Sequence, residues 1–359
     1  MSRVNLKAKD LVVVKVGTST LVKNDGSLNN ANIEDLVRQL AAIKAKGFDV
    51  LLVSSGAVGF GKGILQMNGK MSIAKKQAAA AVGQVALMDA YTRLFAPYEI
   101  NVGQMLLVND DFVVRSRALN AKNTFEAMRA LDIVAIVNEN DSTVVDEIKI
   151  GDNDNLSALV SILLDASLLI LLSDIDGLYS ANPAKNPTAK RYEIISKIDN
   201  ELMKVATGAG SALGTGGMMT KLEAAFKSTN SGIPMVIANG SDDNILIDIV
   251  EDHFNGTYFT PLNSKKNLRK KWLGFIAKTS GTIFIDEGAK DALLNKQASL
   301  LVPGVTNFVG EFEKDSIVAI YDQDHNLLAK GKATLSESEL TNATSGIFIH
   351  KDNISLIEE

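Results

Sequence analysis

The chain has 359 residues, 46% of them hydrophobic, and a formal net charge of −5, which is enough apolar content for packed cores in two domains and too acidic for an overall nucleic-acid footprint. It contains no cysteine, which excludes disulfides, thiolate nucleophiles and cysteine-based zinc sites, and its three histidines (His253, His325, His350) all fall late. The opening MSRVNLKAKD lacks a signal-peptide apolar core and no apolar run reaches the ~18 residues of a membrane span, which points to a cytoplasmic protein with no membrane partner.

Leu11–Val16 (LVVVKV) is an apolar run with one lysine, the pattern of a parallel strand buried on both faces. Gly17-Thr18-Ser19-Thr20 follows as a small-residue turn whose amides and hydroxyls suit phosphate oxygens. Ile33, Leu36, Val37, Leu40, Ala41 and Ile43 share one face of a predicted helix over Asn30–Lys46, ended by Gly47. Phe48–Val53 is the next strand, with Ser54-Ser55-Gly56-Ala57 as a loop after it. Gly56–Gly63 (GAVGFGKG) meets the first seven positions of the phosphate-binding pattern G-x-x-x-x-G-K-[ST]. Gly63 stands where the magnesium-binding hydroxyl belongs, so the match is read as a decoy. A long helix over Ser72–Phe95, a strand over Val102–Val108, a helix over Arg117–Leu131 and a strand over Ile133–Val137 come next. Alternation of this kind predicts an α/β fold with a mostly parallel sheet covered by helices on both faces.

Asn138–Asn155 (NENDSTVVDEIKIGDNDN) carries six Asp or Glu. A run so polar is expected to face a cavity or solvent, because an unpaired buried carboxylate costs on the order of several kcal/mol. Its end opens the helix Leu156–Leu164 beside a strand terminus, where open α/β sheets hold ligands. Leu168–Leu172 is a buried strand ending at Ser173-Asp174, and Asn182-Pro183 with Asn186-Pro187 marks an extended loop. Thr207–Gly217 holds five glycines and leads into a helix over Met218–Asn230 with Lys221 in its first turn, an arrangement that suits an anion. Ile233–Ala238 reads as a strand, Ile245–Val250 as a helix and Gly256–Phe259 as an edge strand. Pro261–Trp272, with five Lys or Arg, is a basic connector. The expected division is a first domain over 1–260, a linker over 261–274 and a second domain over 275–359. Short strands at Gly281–Ile285, Ser299–Leu301, Ile317–Tyr321, Leu327–Lys332 and Ile347–His350, with a helix near Gly288–Leu294, predict a small β-barrel-like module.

The strand ends would align Lys15, Ser55, Asp141, Asn153, Asp154, Ser173, Asp174 and Lys221 along one rim. Two lysines converging there match nucleotide phosphates, and phosphoryl transfer is catalysed mainly by positioning and charge stabilisation. Asp154 between them would accept hydrogen bonds from both ammonium groups. Mg2+ would be held largely by the phosphates, supplemented by carboxylate or water ligands. Without a histidine base, a carboxylate acceptor, already nucleophilic at neutral pH, is favoured over a hydroxyl, although an aspartate base keeps the hydroxyl open.

Six segments carry a resemblance: VVVKVGTSTL (Val12–Leu21), VSSGAVGFG (Val53–Gly61), AAVGQ (Ala80–Gln84), NENDSTVVDEIKIGDNDNLSALV (Asn138–Val160), LLSDIDGLYSANP (Leu171–Pro183) and GTGGMMTKLEAA (Gly214–Ala225). Together they resemble the amino acid kinase family, and within it the glutamate kinases. The resemblance implies a three-layer α/β/α sandwich. It implies ATP contacts from Lys15, Ser173, Asp174 and the segment Thr215, Gly216, Gly217, Met218, Met219, Thr220 and Lys221. Glutamate contacts would come from Ser55, Asn138, Asp141 and Asn153, with Asp154 holding Lys15 and Lys221 in place. The implied reaction is ATP-dependent phosphorylation of the glutamate side-chain carboxylate to L-glutamyl 5-phosphate. That step opens proline synthesis, with proline as feedback inhibitor, a homo-oligomeric assembly and hand-over to glutamyl phosphate reductase. The central polar block favours glutamate over the acceptors of carbamate, acetylglutamate, aspartate and uridylate kinases. Trp272–Val305 resembles a PUA domain, with the likeness weakening after Leu335. Because Ser280–Glu359 carries thirteen Asp or Glu against six Lys or Arg, RNA is not an expected partner.

Overall fold

The computed structural model describes residues 3–23, 25–143, 152–181, 183, 186, 188–199, 202–203, 217–262, 274 and 279–357. The expectations placed on 144–151, on the glycine-rich loop through Thr215 and Gly216, and on most of the basic connector therefore lie outside the described residues. Two compact units emerge: Met1–Asp111 with Arg115–Leu262, and Phe112–Val114 with Asn263–Glu359.

The first unit begins with β1 (Leu11–Val16), α1 (Thr18–Leu21), α2 (Asn30–Ala45), β2 (Asp49–Ser54), α3 (Ala57–Ile64) and α4 (Ile73–Phe95). It continues with β3 (Val102–Leu107), α5 (Asp110–Val113, whose last two residues fall in the second unit), α6 (Arg115–Ala130), β4 (Val134–Glu139), α7 (Asn153–Leu164), β5 (Leu168–Ser173) and β6 (Ile194–Ile195), then α8 (Gly217–Asn230), β7 (Met235–Asn239), α9 (Ile245–Val250) and β8 (Thr257–Phe259). Among the described residues the sheet runs β3-β4-β2-β1-β5-β7-β8-β6, parallel from β3 through β7, with β8 antiparallel to β7. The strand expected at the edge, β8, is thus an inner strand. The two-residue β6 lies outside it and is too short to leave a periodic signal.

All side chains of β1, β2, β4 and β5 are buried, as continuous apolar runs require of a sheet covered on both faces. Alternation then sorts β1: Val12, Val14 and Val16 join Ile33, Val37 and Leu40 of α2 and Leu87, Tyr91 and Phe95 of α4 in one core. Lys15 is left on the opposite face, where α7 packs. The apolar stripe of α2 explains its docking, since each fully buried Leu or Ile contributes about 1.5–3 kcal/mol.

The segment GAVGFGKG forms helix α3 instead of a loop, and its glycines do mechanical work. A Cβ on Gly61 would lie 1.8 Å from the Ala79 carbonyl oxygen, and one on Gly83 would lie 1.9 Å from that of Ala57. Only bare Cα atoms let α3 and α4 approach this closely, which accounts for the phosphate-loop look-alike without any phosphate. The loop expected at Ser54–Ala57 shrinks to Ser55-Gly56, and Gly56 takes φ +102°, a left-handed conformation that disfavours any residue with a Cβ. The expected turn after β1 is likewise a single helical turn, α1.

The second unit holds β9 (Gly281–Ile285), α10 (Glu287–Leu294), β10 (Leu300–Leu301), β11 (Val305–Val309), β12 (Ile317–Tyr321), β13 (Leu327–Lys332), α11 (Glu337–Asn342), β14 (Ile347–Ile349) and β15 (Ile354–Leu356). Five strands form a sheet in the order β11-β9-β12-β13-β15, while β10 pairs with β14. Ile283, Ile285, Leu293, Val318, Ile320 and Phe348 make its core. Expectation omitted β11, α11 and β15, although Ser336 and Glu339 spell the reciprocal capping box that starts α11. Asp322, 1% exposed, ties the β12–β13 turn by accepting from the backbone amides of Asn326 at 2.8 Å and Asp324 at 3.0 Å. Lys290 Nζ donates to it at 2.9 Å and Asn326 Nδ2 at 3.1 Å.

Candidate active site

Lys15 is the penultimate residue of β1, and its position on the α7 face carries its ammonium to the first turn of that helix. There Lys15 Nζ lies 2.5 Å from Asp154 Oδ1 in a buried ion pair. On the other carboxylate oxygen, Lys221 Nζ donates at 2.9 Å and Thr220 Oγ1 at 3.1 Å. The three charged side chains are nearly inaccessible, at 8% for Lys15, 3% for Asp154 and 8% for Lys221. Two ammonium groups touch one carboxylate, an excess positive charge within the cluster that the Asp152 carboxyl, acting on Lys15 from the adjoining cleft, partly offsets, and buried charge is stable only when paired. Burial pushes the Asp154 carboxyl up, but the charges of Lys15 and Lys221 outweigh it and hold the group below its ordinary value.

Lys221 is the fifth residue of α8, one step past the first turn expected for it. The helix cap of α7 is Asp152, which accepts from Asn155 N at 2.8 Å, so Asp154 is free of that duty. Burial pushes the Asp152 carboxyl up. Helix α8 is held to α7 by Asn155, whose Nδ2 donates to Glu223 Oε2 at 3.1 Å and whose Oδ1 accepts from Lys227 Nζ. Burial draws the Lys227 ammonium down, against the charges of Glu223 and Asp152. This seam sets the height at which Lys221 meets Asp154.

Beside the lysine pair a cleft of about 210 Å³ is lined by Ser55, Asn138, Glu139, Asp141, Asp152 and Asn153, with Thr18 and the start of α3. The polar run is expected to face a cavity or solvent, and its first two residues do line this cleft, but as the end of β4 and nearly buried, with Asn138 at 3% and Glu139 at 6% exposure. Hydrogen bonding makes that burial tolerable: Asn138 Nδ2 donates to Gln84 Oε1 at 2.9 Å, and Asn138 Oδ1 accepts from Glu139 N and Asn153 Nδ2, both at 2.9 Å. Asn153 Nδ2 also donates to Ser55 Oγ at 2.8 Å. Behind Ser55, Ser54 Oγ and the Tyr91 hydroxyl are 2.8 Å apart, and burial pushes the Tyr91 phenol up.

The structure thus brings Lys15, Asp154, Lys221 and Thr220 into one cluster and Ser55, Asn138, Asp141 and Asn153 into the adjoining cleft. Ser173 and Asp174, at the end of β5, pair with each other at 3.1 Å and are not bonded to the lysine cluster. Gly217, Met218 and Met219 form the first turn of α8; Thr215 and Gly216 lie outside the described residues. Gln84 and Tyr91 were missed. Their spacing of seven puts both on one helix face, but within an alanine-rich helix that face reads as ordinary core. A separate hollow of about 20 Å³ among Leu11, Asp49, Phe125, Met128 and Arg129, at the opposite ends of the strands, has room for about one water.

Residues 10–239 match the amino acid kinase family, and residues 281–353 match the PUA domain, past the point near Leu335 where the resemblance weakens. The chain belongs to the amino acid kinase family. It is 41% identical to the glutamate 5-kinase of Streptococcus sanguinis (strain SK36), over 99% of this chain and 98% of that one. It is 44% identical to glutamate 5-kinase 2 of Pseudoalteromonas translucida (strain TAC 125), over 93% of this chain and 91% of that one. The carbamate kinase from Giardia lamblia bound to AMP-PNP superposes on 71% of this chain and 99% of its own with a TM-score of 0.53 at 18% identity, a likeness of fold. Among the described residues no helix is long and apolar enough to cross a membrane.

Proposed function

We propose that this amino acid kinase transfers the γ-phosphoryl group of ATP to the side-chain carboxylate of L-glutamate, giving L-glutamyl 5-phosphate and ADP, the first step of proline synthesis from glutamate in the cytoplasm. The observation that carries the reading is the buried Lys15–Asp154–Lys221 cluster beside a polar cleft. Its excess positive charge suits a phosphoryl group, whose oxygens need stabilisation while the bond to ADP breaks and the bond to the carboxylate forms. The acceptor carboxylate is ionised at neutral pH, so no general base is needed and Asp154 serves to hold the two ammonium groups. ATP would be held by Lys15, Ser173, Asp174 and the start of α8, whose amides and dipole favour phosphate. Asp154 is engaged by two ammonium groups, a donor set for phosphate oxygens and not for a bare cation. Mg2+ would therefore arrive on the phosphates, where it shields their charge.

Glutamate would be held by Ser55, Asn138, Asp141 and Asn153, with Asp141 pairing with the α-ammonium. Proline, which shares glutamate's ammonium and α-carboxylate, would compete for that cleft. The acidic balance of the PUA segment supports a role other than holding RNA.

The test is ATP-dependent trapping of the acyl phosphate by hydroxylamine, with glutamate and with carbamate, acetylglutamate and aspartate as rivals, and ADP release with UMP. Glutamate-dependent hydroxamate supports the proposal; turnover only with another acceptor refutes it.

A further inference from the structure

The amide chain behind the cleft has a fixed direction, because backbone groups pin it at both ends. The Glu139 backbone N–H can only donate, and it donates to Asn138 Oδ1 at 2.9 Å. That turns Asn138 Nδ2 toward Gln84, whose Oε1 accepts at 2.9 Å. At the other end the Ser54 carbonyl can only accept, and it takes Asn153 Nδ2 at 3.3 Å. The same nitrogen then meets Asn138 Oδ1 at 2.9 Å and Ser55 Oγ at 2.8 Å.

Direction has a consequence at the cleft. With its NH2 committed to three acceptors, Asn153 has only a carbonyl oxygen to offer a ligand, while Ser55, accepting from Asn153, keeps its own proton to give. The cleft therefore offers an acceptor suited to an ammonium beside a donor suited to a carboxylate. With the Glu139 N–H setting which way the Asn138 amide faces, Gln84, 8% exposed on α4, supplies the acceptor that the buried Asn138 NH2 needs in that orientation. Without it the Asn138 NH2 is buried with no partner at that position, and rotating the amide would point its nitrogen at the Glu139 N–H and at Asn153 Nδ2, donor against donor.

We infer that Gln84 is a positioning residue which, through Asn138, sets how Asn153 and Ser55 present donor and acceptor to the amino acid substrate. The inference rests on the glutamate kinase reading above. Gln84 bonds to Asn138 and not to the lysine cluster, so its influence falls on glutamate and leaves ATP untouched.

Steady-state kinetics on the full chain test this with Gln84→Met, which keeps length and loses the strong acceptor, and Gln84→Lys, which replaces an acceptor by a donor. Expected is a glutamate KM raised about three- to tenfold by the first and at least about tenfold by the second, with the ATP KM within about twofold in both. Adding Asn138→Asp to Gln84→Lys should recover most of the loss, because a carboxylate accepts from position 84, from Glu139 N and from Asn153 at once. Should Gln84→Lys fail to fold, Gln84→Met decides. A glutamate KM within about twofold of the unaltered chain, a parallel rise in both KM values, or no recovery in the double variant overturns the inference. An unaltered chain that forms no ADP in response to glutamate sinks the activity itself, a result visible before any variant is made.

Discussion

Asp154 and Asp322 are both buried aspartates that touch lysine, yet they have opposite characters. Asp322 accepts two backbone amides, one side-chain amide and one ammonium, so its oxygens are saturated by groups from its own turn and from α10. Among the described residues Asp154 takes no backbone donor; two ammonium groups, one against each oxygen, and one hydroxyl surround it. A carboxylate closed by its backbone stabilises a loop. A carboxylate outnumbered by cations organises charge for something that is to arrive.

Substitutions should separate the two. Asp154→Ala is expected to lower kcat by about 10³-fold or more, since it leaves two buried ammonium groups without their organiser, whereas Asp322→Ala should leave kcat within about twofold. ADP release at saturating substrates measures both, and equal losses would erase the distinction. Lys15→Met and Lys221→Met should each cost about 10²- to 10³-fold in kcat, the range for removing one donor from a developing oxyanion. Glutamate KM should move less than kcat in both. Asp322→Asn is expected to destabilise the second unit by about 1–3 kcal/mol in thermal melting, because the amide keeps an oxygen for the two backbone N–H groups but sets an NH2 where Lys290 Nζ and Asn326 Nδ2 now donate.

The smallest effect is one of pH. Burial pushes the Asp322 carboxyl up, but the Asn326 amide and Lys290 outweigh it and hold the group at about 2, against an ordinary 3.8. A depressed folded-state value means its contribution is complete above about 3.8 and is lost as pH falls toward about 2. Melting of the second unit between those values should steepen with acid in the unaltered chain and flatten in Asp322→Asn. An unchanged slope would show that the carboxylate is not the group responsible.

The sheet was legible where runs were long and uniform: Leu11–Val16 and Leu168–Leu172 announce buried parallel strands, and the stripe of α2 announces its docking face. Lys15 was legible as a charge near a strand end and Lys221 as a lysine opening the helix after a glycine-rich loop, both reinforced by the resemblance. Other features depend on distant partners. Asn138 and Glu139 look like the start of a solvated loop until Gln84 and Asn153 are there to satisfy Asn138. Nothing in GAVGFGKG says that its glycines answer to Ala79 and Gly83 instead of to phosphate. The two-residue β6 exists only because β8 offers it an edge.

The tight crossing of α3 and α4 also limits how this site can change. Helix α3 departs directly after Ser55-Gly56, and α4 carries Gln84 next to Gly83, so the joint at Gly61 and Gly83 has less slack than a methyl group. A lineage drifting toward a bulkier acceptor has no room to gain by parting these two helices gradually. Enlargement has to come from cleft residues outside these two helices, Asp141 among them, and the glycine joint behaves as the fixed jaw of a vice.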